Sequence, residues 1–197
     1  GSLGLLERDD SFNERQRRHL ARIRKAADRG RALASSMLSV GSQQPITPAS
    51  VDVGALLRSM ADVLEIAVGE SCKVEIRCEE PLPRIETDAA LFEQSVLNLC
   101  LNAAAAMPQG GSIVLACRAE AGMLVLEVKD TGTGMTPDVA DKAFEPYFTT
   151  RPGSGGAGLG LAVVYGFMRQ SGGDARILSA PGEGTVVTLV FPAPAGA

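Results

Sequence analysis

With 197 residues, 45% of them apolar and 21% charged, the chain is long enough for one well-packed core plus an appendage, and it is neither disordered nor fibrous. Its 23 acidic and 19 basic side chains give no whole-chain case for nucleic-acid binding. No stretch approaches ~18 uninterrupted apolar residues and the N-terminus lacks a signal-peptide pattern, so a soluble chain with no membrane segment is expected.

Gly1 and Ser2 match the remnant of an expression tag, which predicts a natural chain extending upstream, where a sensor or membrane segment could lie. Residues 12–40 carry Phe12, Gln16, His19, Ile23, Ala26, Gly30, Leu33, Met37 and Val40 at alternating spacings of four and three. That is the seam of a bundle helix, which needs a partner helix and predicts a homodimer formed through 12–40. The opposite face is basic, from Arg15 to Arg31, read first as solvated and second as a dock for an acidic protein. His19, the only histidine, has two readings, a packed position on the seam or a phosphoryl acceptor; its place on the seam favours the first.

Pro45 and Pro48 interrupt all periodicity and mark a linker. The chain thus divides into a helical part at 1–44, a linker at 45–51 and a main domain at 52–197. Asp52 is placed to cap a helix whose stripe includes Val53, Leu57, Met60, Leu64 and Ala67. Lys73 to Cys78 alternates as a half-buried strand, followed by a proline-containing turn. From Asp88 a helix runs to Met107, where Pro108 stops it. Asn98 and Asn102 lie four apart on one stripe of that helix. Asparagine inside a helix usually makes a specific hydrogen bond or ligand contact, and stacked amide oxygens suit a hard cation such as Mg²⁺; a structural polar stripe is the alternative.

A hairpin follows, 112–119 and 123–129, delivering Asp130 at a strand end beside glycines, a suitable acceptor for the exocyclic amine of adenine. The segment 146–158 has the composition of a lid that orders on a ligand, with Arg151 as a phosphate contact. The glycines before Leu159 open onto a helix to Gln170, and free N–H groups at a helix start suit phosphate. Gly153 to Gly158 satisfies G-x-G-x-x-G, but no apolar strand precedes it, so the dinucleotide fingerprint is a false match. Strands 174–179 and 185–191 close the chain. Five strands and three substantial helices predict an α+β two-layer sandwich, a mixed sheet covered by helices on one face. Cys72, Cys78, Cys100 and Cys117 form no C-x-x-C pair and read as reduced buried thiols of a cytosolic protein.

Four motifs occur in order: L-N-L-C-L-N-A at 97–103, D-T-G-T-G-M at 130–135, F-E-P-Y-F-T-T at 144–150 and G-A-G-L-G-L at 156–161, with G-E-G-T at 182–185. In these the region 52–192 resembles the catalytic ATP-binding domain of sensor histidine kinases, within the superfamily that includes gyrase B, Hsp90 and MutL, and is similar to the alphaproteobacterial cell-cycle hybrid type. Residues 12–40 resemble the second helix of the dimerisation and phosphotransfer hairpin. The resemblance implies the Bergerat-type ATP fold and transfer of the ATP γ-phosphoryl group to a histidine, with a response regulator receiver domain as partner.

By the same resemblance Asn102 binds Mg²⁺ and Asp130 the adenine amine. Gly132 and Gly134 shape the adenine pocket, Gly156, Gly158 and Gly160 border the phosphates, and Ala106, Met135, Ala157, Leu159 and Thr185 are further nucleotide-binding residues. Phe144, Phe148, Thr149, Thr150 and Arg151 belong to the lid. Asn98 stands where hydrolysing relatives carry a glutamate base, and an amide cannot activate water as a carboxylate does, which favours transfer over hydrolysis. The histidine-acid acceptor motif is absent, and Ala104 and Ala105 replace an arginine and an aspartate common in relatives. A degenerate scaffold that docks a receiver without ATP, and a self-contained ATPase, are the alternatives.

Overall fold

The computed structural model describes residues 47–151 and 158–193; the bundle helix at 12–40, with His19, and the glycines at 153–157 lie outside the described residues. The linker does not simply run on as coil. Ala49–Val51 forms strand β1, which pairs antiparallel with β3, Ile85–Thr87, through the register Val51↔Ile85. Neither three-residue strand has enough alternation to be read locally.

Asp52 accepts the Ala55 N–H (2.9 Å) and starts α1, Val53–Ser59. The single helix expected here is two. At Met60 the N–H is shared between the Leu56 and Leu57 carbonyls, and the Ser59 hydroxyl also donates to Leu56 O at 2.7 Å. That competition for one carbonyl tightens the last turn, and α2, Ala61–Val68, starts afresh. Helix α3, Ala89–Ala105, starts after Asp88, whose side chain caps it by accepting the Ala90 and Leu91 N–H groups. Helix α4, Pro137–Lys142, places proline in its first turn, where a missing N–H costs nothing. Helix α5 is Gly160–Gln170.

The main sheet has the order β2-β4-β5-β7-β6: Cys72–Cys78, Gly111–Glu120, Met123–Asp130, Thr185–Pro192 and Asp174–Ser179. Only β2 and β4 run parallel. Register aligns the inward residues in rows: Cys117, Leu126 and Leu189; Leu115, Val128 and Val187; Ile113, Asp130 and Thr185. The helices cover this face. Phe92 of α3 and Phe167 of α5 meet Phe191 of β7 at ring-centroid distances of 5.7 and 6.0 Å. Phe92, Leu99, Leu126 and Leu189 are essentially solvent-free, each stabilising the fold by about 1.5–3 kcal/mol. The α+β sandwich with helices on one face of a mixed five-stranded sheet is therefore the observed architecture.

Candidate functional site

One row of that sheet is not apolar. Asp130 and Thr185 sit opposite one another at the ends of β5 and β7, 7% and 8% exposed, just beyond the Val128 and Val187 pair. The period of two that buries Val128 also turns Asp130 toward the helices. Its Oδ1 accepts the N–H groups of Gly132 (2.8 Å) and Thr185 (3.2 Å), while nothing among the described residues donates to Oδ2. Burial pushes the Asp130 carboxyl above its ordinary range, partly offset by those two hydrogen bonds.

Above the carboxylate a cavity of about 640 Å³ opens between α3, α5 and the two loops. It brings together Asn98, Asn102 and Ala106 from α3 and its C-cap, Asp130, Gly134, Met135 and Thr185 from the sheet ends, and Phe148, Thr149, Thr150, Arg151, Gly158, Leu159 and Gly160 from the lid and the start of α5. Residues distant in the sequence thus converge on one space. Asn98 Nδ2 is buried there with no hydrogen-bond partner. Such a donor is costly to leave unpaired.

The loop geometry explains the glycines. Gly134 has φ +65°, and a Cβ on it would collide with the Ala180 carbonyl. Gly158 also has positive φ, +67°, and its carbonyl takes the Tyr147 N–H at 2.8 Å, tying the two ends of the lid together. Leu159, the N-cap of α5, makes no side-chain cap, and Leu159, Gly160 and Leu161 line the cavity, so the positive end of the helix dipole borders it.

Two expected site residues stand apart from the lining. Gly132 lies beneath it, its N–H spent on Asp130, and a Cβ there would come within 2.8 Å of Ala106 Cβ. Phe144 packs instead on Tyr165 of α5, ring centroids 5.2 Å apart, an apolar contact that keeps it out of the cavity lining. Gly156 and Ala157 lie outside the described residues. Sequence reasoning missed Val128, Val187, Thr133, Leu101 and Val139 in the lining; the first two could have been found by stepping back two residues from Asp130 and forward two from Thr185.

Among the described residues no group of three or more His, Cys, Asp or Glu could hold a metal ion. A cation here would take an amide oxygen of Asn102 and complete its shell with ligand oxygens and water, which is the habit of Mg²⁺.

Comparison with known proteins agrees with this arrangement. The profile of the histidine kinase-, DNA gyrase B- and HSP90-like ATPase family matches residues 87–195. The chain is 35% identical to the sensor kinase CckA of Brucella abortus (strain 2308), over 86% of this chain and 20% of that protein. It is 33% identical to the sensor histidine kinase ZraS of Escherichia coli (strain K12), over 85% of this chain and 36% of that protein. It therefore spans about a fifth to a third of these relatives. Among solved structures, full-length ShkA in complex with AMPPNP superposes with a TM-score of 0.77 at 28% identity, covering 100% of this chain and 42% of ShkA. The ordered motifs, the helix-covered sheet and the profile match converge, and the chain belongs to the histidine kinase-, DNA gyrase B- and HSP90-like ATPase family.

Proposed function

We propose that this chain is the ATP-binding catalytic part of a two-component sensor histidine kinase, which delivers the ATP γ-phosphoryl group to an acceptor histidine whose motif this chain lacks. The observation that carries the reading is the convergence of Asp130 and Asn102, 28 positions apart, on one cavity whose mouth is the uncapped start of α5. Asp130 Oδ2 accepts the adenine amine; Gly134, Met135 and Ala106 shape the slot for the ring. The α5 N–H groups and the lid, with Arg151, receive the phosphates. The Asn102 amide oxygen would hold Mg²⁺, which neutralises developing charge on the phosphates when bound. Asn98 offers a donor and no carboxylate, so water is positioned at best and not deprotonated, and position plus charge neutralisation drive transfer.

That ShkA was crystallised with AMPPNP supports nucleotide occupancy of the matching cavity here. CckA and ZraS are named sensor kinases, which supports a receiver domain as partner; the heptad spacing of residues 12–40 is the ground for a homodimer through that segment. The test is calorimetry with Mg²⁺ and ATP. Heat is expected, and its absence at millimolar nucleotide would defeat the proposal, as would full binding by Asp130→Ala. Phosphorylation of a longer chain carrying the upstream helix then tests transfer.

A further inference from the structure

Two loops about fifty residues apart in sequence are clasped together at the Asp130 end of the cavity, and one hydroxyl bonds both of them. Ser179, the last residue of β6, accepts the Met135 N–H at 2.9 Å and donates to the Gly184 carbonyl at 2.8 Å. It also lies 3.0 Å from Thr185 Oγ1. Thr185 in turn gives its N–H to Asp130 Oδ1, and Gly182 gives its N–H to the Thr133 carbonyl at 2.8 Å. Ser179 is not in the cavity lining, but Met135 and Thr185, which it touches, both are.

We propose that Ser179 is a positioning residue for purine discrimination; the inference rests on the adenine-nucleotide reading above. Asp130 has one anchor nearby in sequence, Gly132, and one far away, Thr185. The near anchor follows from the turn itself. The far one is placed by the β5 and β7 register at the last pair of that ladder, and Ser179, opposite Thr185 in β6, is the side chain that ties this end to the 131–136 loop through the Met135 N–H. A carboxylate anchored at both N–H groups through Oδ1 presents Oδ2 in one orientation, which is what separates an amine donor from a carbonyl acceptor on the same ring position. Loosening the far anchor lets the carboxylate turn. An adenine amine then loses its acceptor, while guanine, whose carbonyl oxygen the carboxylate repels, loses nothing.

The hydroxyl is isolated by comparing Ser179→Thr with Ser179→Val, two side chains of equal shape. Dissociation constants for Mg²⁺ with ATP and with GTP, taken with the melting temperature, are the readout. Ser179→Thr is expected to keep the wild-type ATP to GTP ratio. Ser179→Val is expected to lower it about tenfold, through weaker ATP binding at unchanged or tighter GTP binding. Ser179→Ala adds no bulk and is expected to show the same loss should the branched pair fail to fold. Equal weakening of both nucleotides, or a lower melting temperature at an unchanged ratio, would show a structural staple and overturn the proposal. A wild-type chain that binds ATP no better than GTP would instead bring down the adenine reading beneath it.

Discussion

Gly160 and Asn102 approach across the cavity so closely that a methyl group on Gly160 would lie 3.3 Å from the Asn102 amide nitrogen. The first residue of α5 therefore has little room for a side chain beside the amide proposed for the cation. Gly160→Ala pushes the amide by a few tenths of an ångström without straining the backbone. The expected outcome is Mg²⁺-dependent ATP binding weakened several-fold while the melting temperature stays level or rises, because alanine favours a helix over glycine. Calorimetry with and without Mg²⁺ checks it: a loss that persists unchanged without the cation would detach Asn102 from that role.

Asp130 couples binding to pH in a direction opposite to its effect on folding. Its carboxyl titrates above the ordinary aspartate range because it is buried. The folded-state value is raised, so its contribution to stability is fully present below the unfolded value and is lost as pH rises through the folded one. The adenine amine needs the ionised form, so ATP affinity should fall on acidification earlier than an ordinary aspartate would dictate. Titrating the affinity downward from neutral pH tests this, with Asp130→Asn expected to remove the pH dependence. Asp130→Ala also strands the Gly132 and Thr185 N–H groups, which should cost about 1–3 kcal/mol in urea unfolding.

Asp88 holds two things at once. Its Oδ1 accepts from Ala90 and Leu91 N–H at 3.0 and 3.1 Å, starting the helix that carries Asn98 and Asn102, and its Oδ2 accepts the Thr47 N–H at 3.1 Å. Asp88→Ala is expected to destabilise the domain by about 1 kcal/mol through the lost cap. Asp88→Asn keeps a cap oxygen and should retain most of that stability, yet lose amide-exchange protection at Thr47. Equal protection in wild type and Asp88→Asn would mean that the paired β1 and β3 strands alone hold the linker.

Burial pushes the Cys100 and Cys117 thiols up to about 12. At neutral pH the thiolate fraction of each is then about one in 10⁵, and the thiolate is the reactive species. Neither residue should be alkylated by iodoacetamide in the native chain, and both should react after unfolding in urea. Mass spectrometry of the digested protein reads this directly; rapid native labelling at Cys100 would mean that α3 opens locally.

The mixed sheet and its covering helices were legible because their signals are local. Alternation in Lys73 to Cys78, the capping aspartates at 52 and 88 and the proline at 108 each act within a turn or a strand of themselves. The β1 and β3 pairing was not legible: three residues against three others 36 positions on carry no periodicity, and their bonds form only because the linker is brought back along Arg84 and Asp88. The break at Met60 was hidden for a similar reason, since an apolar stripe at helical spacing runs through Leu57, Met60 and Leu64 without interruption.

By itself the sequence determined which residues were candidates for the site: an acid at a strand end, two amides one helical turn apart, and glycines ahead of a helix. These follow from spacing and residue type alone. Which of them face one another was decided by the tertiary structure. The β5 and β7 register sets Asp130 against Thr185, the packing of α3 and α5 sets Asn102 against Gly160, and Phe144 packs aside on Tyr165. The reason is physical: periodicity fixes the face of an element, whereas the facing partner depends on packing between elements that only the closed core imposes.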